Sequence, residues 1–196
     1  MVPRTLLAGL FLAGSAPAAA LEPVVDIGHD VETRLDADFD GDGRVDIAYI
    51  TTDGETRNLY VTLAAGESEY LPLDTTPLGS GELTFAKGVL VFEDLTGGTT
   101  AYSTTRRYRF DEEAGRMRLI GFDSTLYSRT YAHDGYELSW NLLTGKLITR
   151  ELHLNKKGGD AAYDPIVEKA TIRKSGKVWL FDTPDPEALM EEVRGN

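Results

Sequence analysis

The 196-residue chain contains no cysteine. That absence excludes disulfides, zinc–thiolate centres, a thiol nucleophile and a lipid-bearing N-terminal cysteine. Packing, hydrogen bonds or a hard cation must therefore stabilise the fold. Histidine is almost as scarce: His29, His133 and His153 are the three, well separated in sequence. They form no H-x-x-x-H, H-E-x-x-H or Ser/His/Asp pattern, so the usual signatures of a histidine-bound zinc or a nucleophilic hydrolase are missing. No G-x-x-x-x-G-K-[ST] phosphate loop occurs, and Gly79-Ser80-Gly81 and Gly97-Gly98 read as turns. Positive charge is short as well, with Lys+Arg 20 against Asp+Glu 32 and a formal net charge of -12. Such a chain cannot easily build the basic face that nucleic acid needs, and anionic membranes and acidic polysaccharides are disfavoured for the same reason. Paired carboxylates facing each other across a cleft at about 5 to 9 Å would do glycosidase work. Sequence alone places no such pair, and the chain reads as a binding protein, not an enzyme.

What is present is enough apolar material for a core: 41% hydrophobic and 27% charged residues predict one folded domain. Met1 to Ala20 carries a basic Arg4, the apolar run Leu6 to Ala13 and then Ala18-Ala19-Ala20, the three-part pattern of a secretory signal peptide. The run is too short for a bilayer, which takes roughly 20 apolar residues. The reading is therefore a signal peptide at 1–20 and a single β domain at 21–196, periplasmic or secreted, with no membrane span in the mature chain. Loss of Arg4 leaves 19 bases against 32 acids, a charge of -13.

From Val45 onward, short runs of Val, Ile, Leu, Tyr, Phe and Thr alternate with glycine-bearing turns, the spacing of an antiparallel β protein. Strands are expected at 45–52, 57–63, 83–85, 89–93, 99–110, 117–127, 136–141, 146–154, 166–173 and 178–181. Turns are expected at Asp53-Gly54, Lys87-Gly88, Gly97-Gly98, Ala114-Gly115, Asp134-Gly135, Thr144-Gly145 and Ser175-Gly176, where glycine supplies positive φ. In Arg107-Tyr108-Arg109-Phe110 the aromatics should face inward and the arginines outward. One helix is expected at 186–193, with Asp185 as N-cap and Pro186 in its first turn. The fold class is all-β: an antiparallel sandwich or a small propeller-like meander, with a short C-terminal helix.

One segment is dense in chemistry. From Asp38 the sequence reads D-x-D-x-D-G-x-x-D, placing Asp38, Asp40, Asp42 and Asp46 at loop positions 1, 3, 5 and 9 and Gly43 at position 6. Ca²⁺ takes six to eight oxygen ligands, and alternate acids in a tight loop point at one centre. Like charges about 4 Å apart repel by roughly 4 kcal/mol at an effective dielectric of about 20, so the cluster calls for a cation. An EF-hand would have a bidentate Glu at position 12, where this chain has Tyr49. The alternative is a solvated acidic turn.

Asp38 to Ile50 resembles the calcium loop of FG-GAP (integrin-type) and VCBS repeats, in which the same acids lead into an apolar strand. The match covers about a dozen residues in a single copy. Further on stand Arg107-Tyr108-Arg109-Phe110, then Met117-Arg118-Leu119-Ile120-Gly121-Phe122-Asp123-Ser124, then Ser139-Trp140-Asn141-Leu142-Leu143-Thr144-Gly145-Lys146. With the acidic loop, these resemble periplasmic immunity proteins that neutralise peptidoglycan-hydrolase effectors of bacteria-killing type IV secretion systems, a family akin to inhibitors of invertebrate-type lysozyme. The resemblance spans roughly residues 36 to 146 and implies inhibition of a muramidase or other peptidoglycan-lytic enzyme. Lysozyme inhibitors commonly carry an S-G-x-x-Y loop. Here the nearest text is Ser175-Gly176-Lys177-Val178-Trp179, with Trp in place of Tyr. An acidic chain fits a basic enzyme by complementary charge, and Trp140, Trp179 and Tyr102 are either contact anchors or ordinary core packing. The other reading is an FG-GAP-like structural or adhesive module with no inhibitory role.

Overall fold

A computed structural model describes residues 20–195, which hold eleven strands and one α-helix. The expected signal peptide thus lies outside the described residues except for Ala20. β1 (Asp30–Ala37), β2 (Asp46–Thr52), β3 (Arg57–Thr62) and β4 (Ser68–Pro72) form a four-stranded antiparallel meander in that order. β5 (Glu82–Ala86), β6 (Val89–Gly97), β7 (Thr100–Asp111), β8 (Arg116–Ser128), β9 (Gly135–Asn141), β10 (Lys146–Leu154) and β11 (Tyr163–Ile172) form a second, seven-stranded one. Every neighbour is antiparallel and sequential, as short turns dictate. No helix among the described residues is long and apolar enough to cross a membrane.

The two sheets share one core. Ala48, Ile50, Leu59, Val61 and Leu71 from the small sheet pack in the same cluster as Leu90, Phe92, Tyr108, Leu119 and Phe122 from the large one. The chain is therefore an all-β sandwich. α1 (Pro186–Arg194) closes the core with Leu189 and Met190, both nearly inaccessible. Asp185 caps it by accepting from Ala188 N at 2.9 Å.

Most expected strands are present, and the differences have physical causes. β1 and β4 escape hydrophobic patterning because they are edge strands of mixed burial, D-V-E-T-R-L-D-A and S-E-Y-L-P. The expected strand at 178–181 is only a bridge: Trp179 pairs with Arg118, with Val178 O accepting from Leu119 N at 2.8 Å. It occupies the end of β8 that β9 is too short to reach. Gly135 is not a positive-φ turn residue. It begins β9, where a Cβ would lie 2.6 Å from Leu126 O, so glycine is required there by close approach. Gly176 likewise has no positive φ.

Candidate functional site

The connection from β1 to β2 carries the acidic loop. Gly41 and Gly43 adopt φ of 81° and 85°, a left-handed geometry open to glycine at little cost, and the chain folds back on itself over few residues. Asp38 organises the turn: Gly41 N donates to Oδ1 at 2.7 Å and Gly43 N to Oδ2 at 2.9 Å. Asp40 accepts from Asp42 N at 3.0 Å, and Asp42 from Arg44 N at 2.8 Å. Carboxylate oxygens of Asp38, Asp40 and Asp42 thereby lie within 4.8 Å of one another. A carboxylate oxygen has two lone pairs, so one backbone bond leaves capacity for a cation.

Asp46 stands elsewhere in this arrangement. Its side chain is fully buried, with Oδ2 accepting from Phe39 N and Oδ1 from Ala64 N, each at 2.7 Å. It ties the two ends of the loop to the connection after β3. Three of the four sequence-picked acids thus converge, and the fourth braces the loop from beneath.

Electrostatically the four acids still act on one another. Burial, and then the charges of Asp46, Asp42 and Asp38, push the Asp40 carboxyl above its ordinary value. Asp42 moves the other way, held down by its bonds from the Arg44 guanidinium and backbone. Arg44 spans from Asp42 to Ala64 O at 3.2 Å, so the loop's neighbouring cation is itself engaged.

A second charged cluster was hidden in the sequence. Arg57 is 1% exposed and donates Nε and Nη2 to Glu32 at 2.7 Å each, and Nη1 and Nη2 to Asp94 at 2.8 and 2.9 Å. Glu32 reaches it because β1 bulges there: Val31 pairs with Thr51 and Thr33 with Ile50, leaving Glu32 unpaired and turned inward. Gly81 N completes the Glu32 shell at 2.6 Å. Burial alone would raise the Glu32 carboxyl, but the bonds from Arg57 and Gly81 and the Arg57 charge outweigh it and hold it down. The cluster ties both sheets together through β1, β3 and β6. No local signal announces it, because Arg57 begins an ordinary strand.

The histidines are less isolated than their sequence separation implies. His153 Nδ1 lies 3.1 Å from Asp134 Oδ2, and His133 Nδ1 lies 2.7 Å from the Asp134 carbonyl. These two rings and the Asp134 side chain sit at one corner of the large sheet, with His153 and Asp134 exposed and His133 half-buried. Of the candidate contact aromatics, Trp140 is core, with its indole N–H on Arg173 O at 3.0 Å. Trp179 is half-buried between Arg116 and Lys177. Tyr102 is half-buried and packs against the core. On the small sheet, Tyr49, Tyr60 and Tyr70 stack across three strands at 5.2 and 5.9 Å, and Phe181 continues the row at 5.3 Å from Tyr70. Tyr70 and Phe181 are exposed, so this row offers an aromatic surface that sequence reading missed.

Comparison with protein-family models, with curated proteins and with solved structures finds no match to this chain.

Proposed function

We propose that this chain is an exported, calcium-stabilised β-sandwich module that binds and inhibits a peptidoglycan-lytic enzyme. The observation that carries the calcium half is the convergence of Asp38, Asp40 and Asp42 within 4.8 Å on a glycine-shaped loop. Three carboxylates at that separation are mutually repulsive in water, and a divalent cation turns the repulsion into ligation. Because the loop joins β1 to β2, the ion would fix the edge of the small sheet, a structural role and not a catalytic one.

The partner half rests on charge and on the resemblance over residues 36 to 146. A chain of net charge -12 gains association rate with a basic hydrolase. Calcium ligation without inhibition is the alternative, an FG-GAP-like structural or adhesive module. The position of the loop on a sheet edge suits that reading equally.

The deciding experiment is cell-wall lysis by a panel of muramidases, titrated with the purified chain in Ca²⁺ and again in chelator. Stoichiometric inhibition of one member, lost in chelator, is the expected result. A panel in which no enzyme is inhibited and none forms a one-to-one complex overturns the inhibitor reading and leaves the structural module.

A further inference from the structure

Arg106 is the oddest residue in the sandwich. It lies on β7 with Thr104 and Tyr108, on the face turned toward the small sheet, and is 6% exposed. Phe92 and Phe122 hold its guanidinium carbon at 5.4 and 5.7 Å from their ring centres. Yet Nε and Nη1 are buried without a hydrogen-bond partner among the described residues. Buried N–H groups of a charged side chain are almost always satisfied, and each orphan calls for an explanation. Aromatic faces offset part of the cation's desolvation but accept no hydrogen bond of ordinary strength.

The explanation lies in the space beside it. Arg106 lines a cavity of about 210 Å³ between the sheets and the start of α1. Liquid water takes about 30 Å³ per molecule, so the space exceeds what one or two bridging waters fill. The inner lining is polar and buried: Arg106 with Asp94, Thr96 and Thr104, at 7%, 4% and 3% exposure for the last three. Asp94 is already committed to Arg57 through both oxygens. Arg106 is thus the cation left there to meet an acceptor. The walls are apolar, from Leu71, Phe181 and Pro184.

At the mouth the sign of charge reverses. Asp74 and Asp185 line the cavity and are exposed. Each uses Oδ1 on its own turn, Asp74 toward Thr76 N at 2.7 Å and Asp185 toward Ala188 N at 2.9 Å, which leaves Oδ2 for another donor. A plain anion would meet these acids on entry, and a plain cation would meet Arg106 inside. A small molecule that carries both an acceptor and a cation satisfies both.

We propose that this cavity is a binding site for a small zwitterion of the α-amino-acid class, carboxylate on Arg106 and ammonium between Asp74 and Asp185. The short apolar walls suit an aliphatic side chain. The site shares no residue with the acidic loop at 38–46, and its ligand class does not depend on the enzyme-inhibition reading above.

The test is titration of the full chain with L-alanine and L-valine, with propionate and propylamine as one-ended controls, followed by amide chemical shifts and by melting temperature in chelator. Saturable shifts at Thr96, Thr104 and Arg106 with an amino acid are expected, at least tenfold weaker with either control. Arg106→Met keeps the aliphatic stem between the two phenyl rings and should abolish binding. Should that variant fold poorly, Asp74→Asn with Asp185→Asn, where Asn retains the helix cap, should weaken the amino acids at least tenfold and leave propionate no weaker than before. No saturable shift with either amino acid up to 50-fold over the protein and then into the ~10 mM range would leave a water-filled cavity and overturn the proposal. Equal shifts in Arg106→Met would overturn it too.

Discussion

At the β1–β2 connection, Asp38, Asp40 and Asp42 crowd within 4.8 Å, and Arg44 satisfies Asp42 alone. Between the sheets, Glu32 and Asp94 share one buried arginine through four bonds of 2.7 to 2.9 Å. Both regions gather carboxylates, but the inner one contains its own cation and the outer one lacks a full complement. Burial decides which arrangement is tolerable. Desolvated acids must have a fixed partner, because removing one ion of a buried pair leaves an uncompensated charge. Half-exposed acids at a turn are screened by water and can await a partner from solution.

Breaking the inner cluster should therefore have the largest effect. Arg57→Met leaves Glu32 and Asp94 facing an apolar stem, and a loss of about 3 to 5 kcal/mol is expected in urea unfolding. A loss below ~1 kcal/mol would mean that water already reaches the cluster. Asp46→Ala comes next, since it orphans the Phe39 and Ala64 amides. The expected cost is about 2 to 3 kcal/mol, in chelator as well as in Ca²⁺, because the bonds it removes are internal.

Asp42→Ala should behave differently. In chelator it should move stability by less than about 0.5 kcal/mol, as exposed substitutions usually do. The wild type should gain about 2.7 kcal/mol when free Ca²⁺ is raised to 100 times its dissociation constant, and the variant should not. Identical melting of the wild type with and without chelator would remove the metal from the loop.

The smallest effect separates the two regions by sign. Glu32 has its carboxyl lowered from 4.5, so its contribution is present above that value and is lost as pH falls through the lower folded one. Asp40 has its carboxyl raised from 3.8, so it costs stability above its folded value, and the cost disappears as pH falls toward 3.8. Glu32→Gln should flatten the acid limb of a stability–pH profile measured in chelator, whereas Asp40→Asn should steepen it. A profile unchanged by either variant would show that neither group titrates differently on folding.

Much of this was legible beforehand. The alternation of apolar residues and glycine turns located most of the strands, and D-x-D-x-D-G marked the acidic loop because alternate acids around glycine are a local pattern. β1 and β4 were not legible: edge strands carry charges that erase period two. Nor was the inward turn of Glu32, which depends on a bulge against β2. The setting of Arg106 was invisible for a related reason. Period two puts it on the inward face with Tyr108, but only the packing of one sheet on the other shows the cavity it meets.

By itself, then, the sequence determined the fold class, the acid excess and the residues that crowd at Asp38 to Asp42, since composition and near-neighbour spacing act over a few residues. Tertiary structure alone decided that Asp46 braces the loop, that Arg57 joins β1, β3 and β6, and that Arg106 faces a cavity with acids at its mouth. Those relations link residues far apart in the chain, 18 positions for Asp46 with Ala64 and 37 for Arg57 with Asp94. Strand register and the packing of one sheet on the other bring such residues together, and neither is written in any local stretch of the chain.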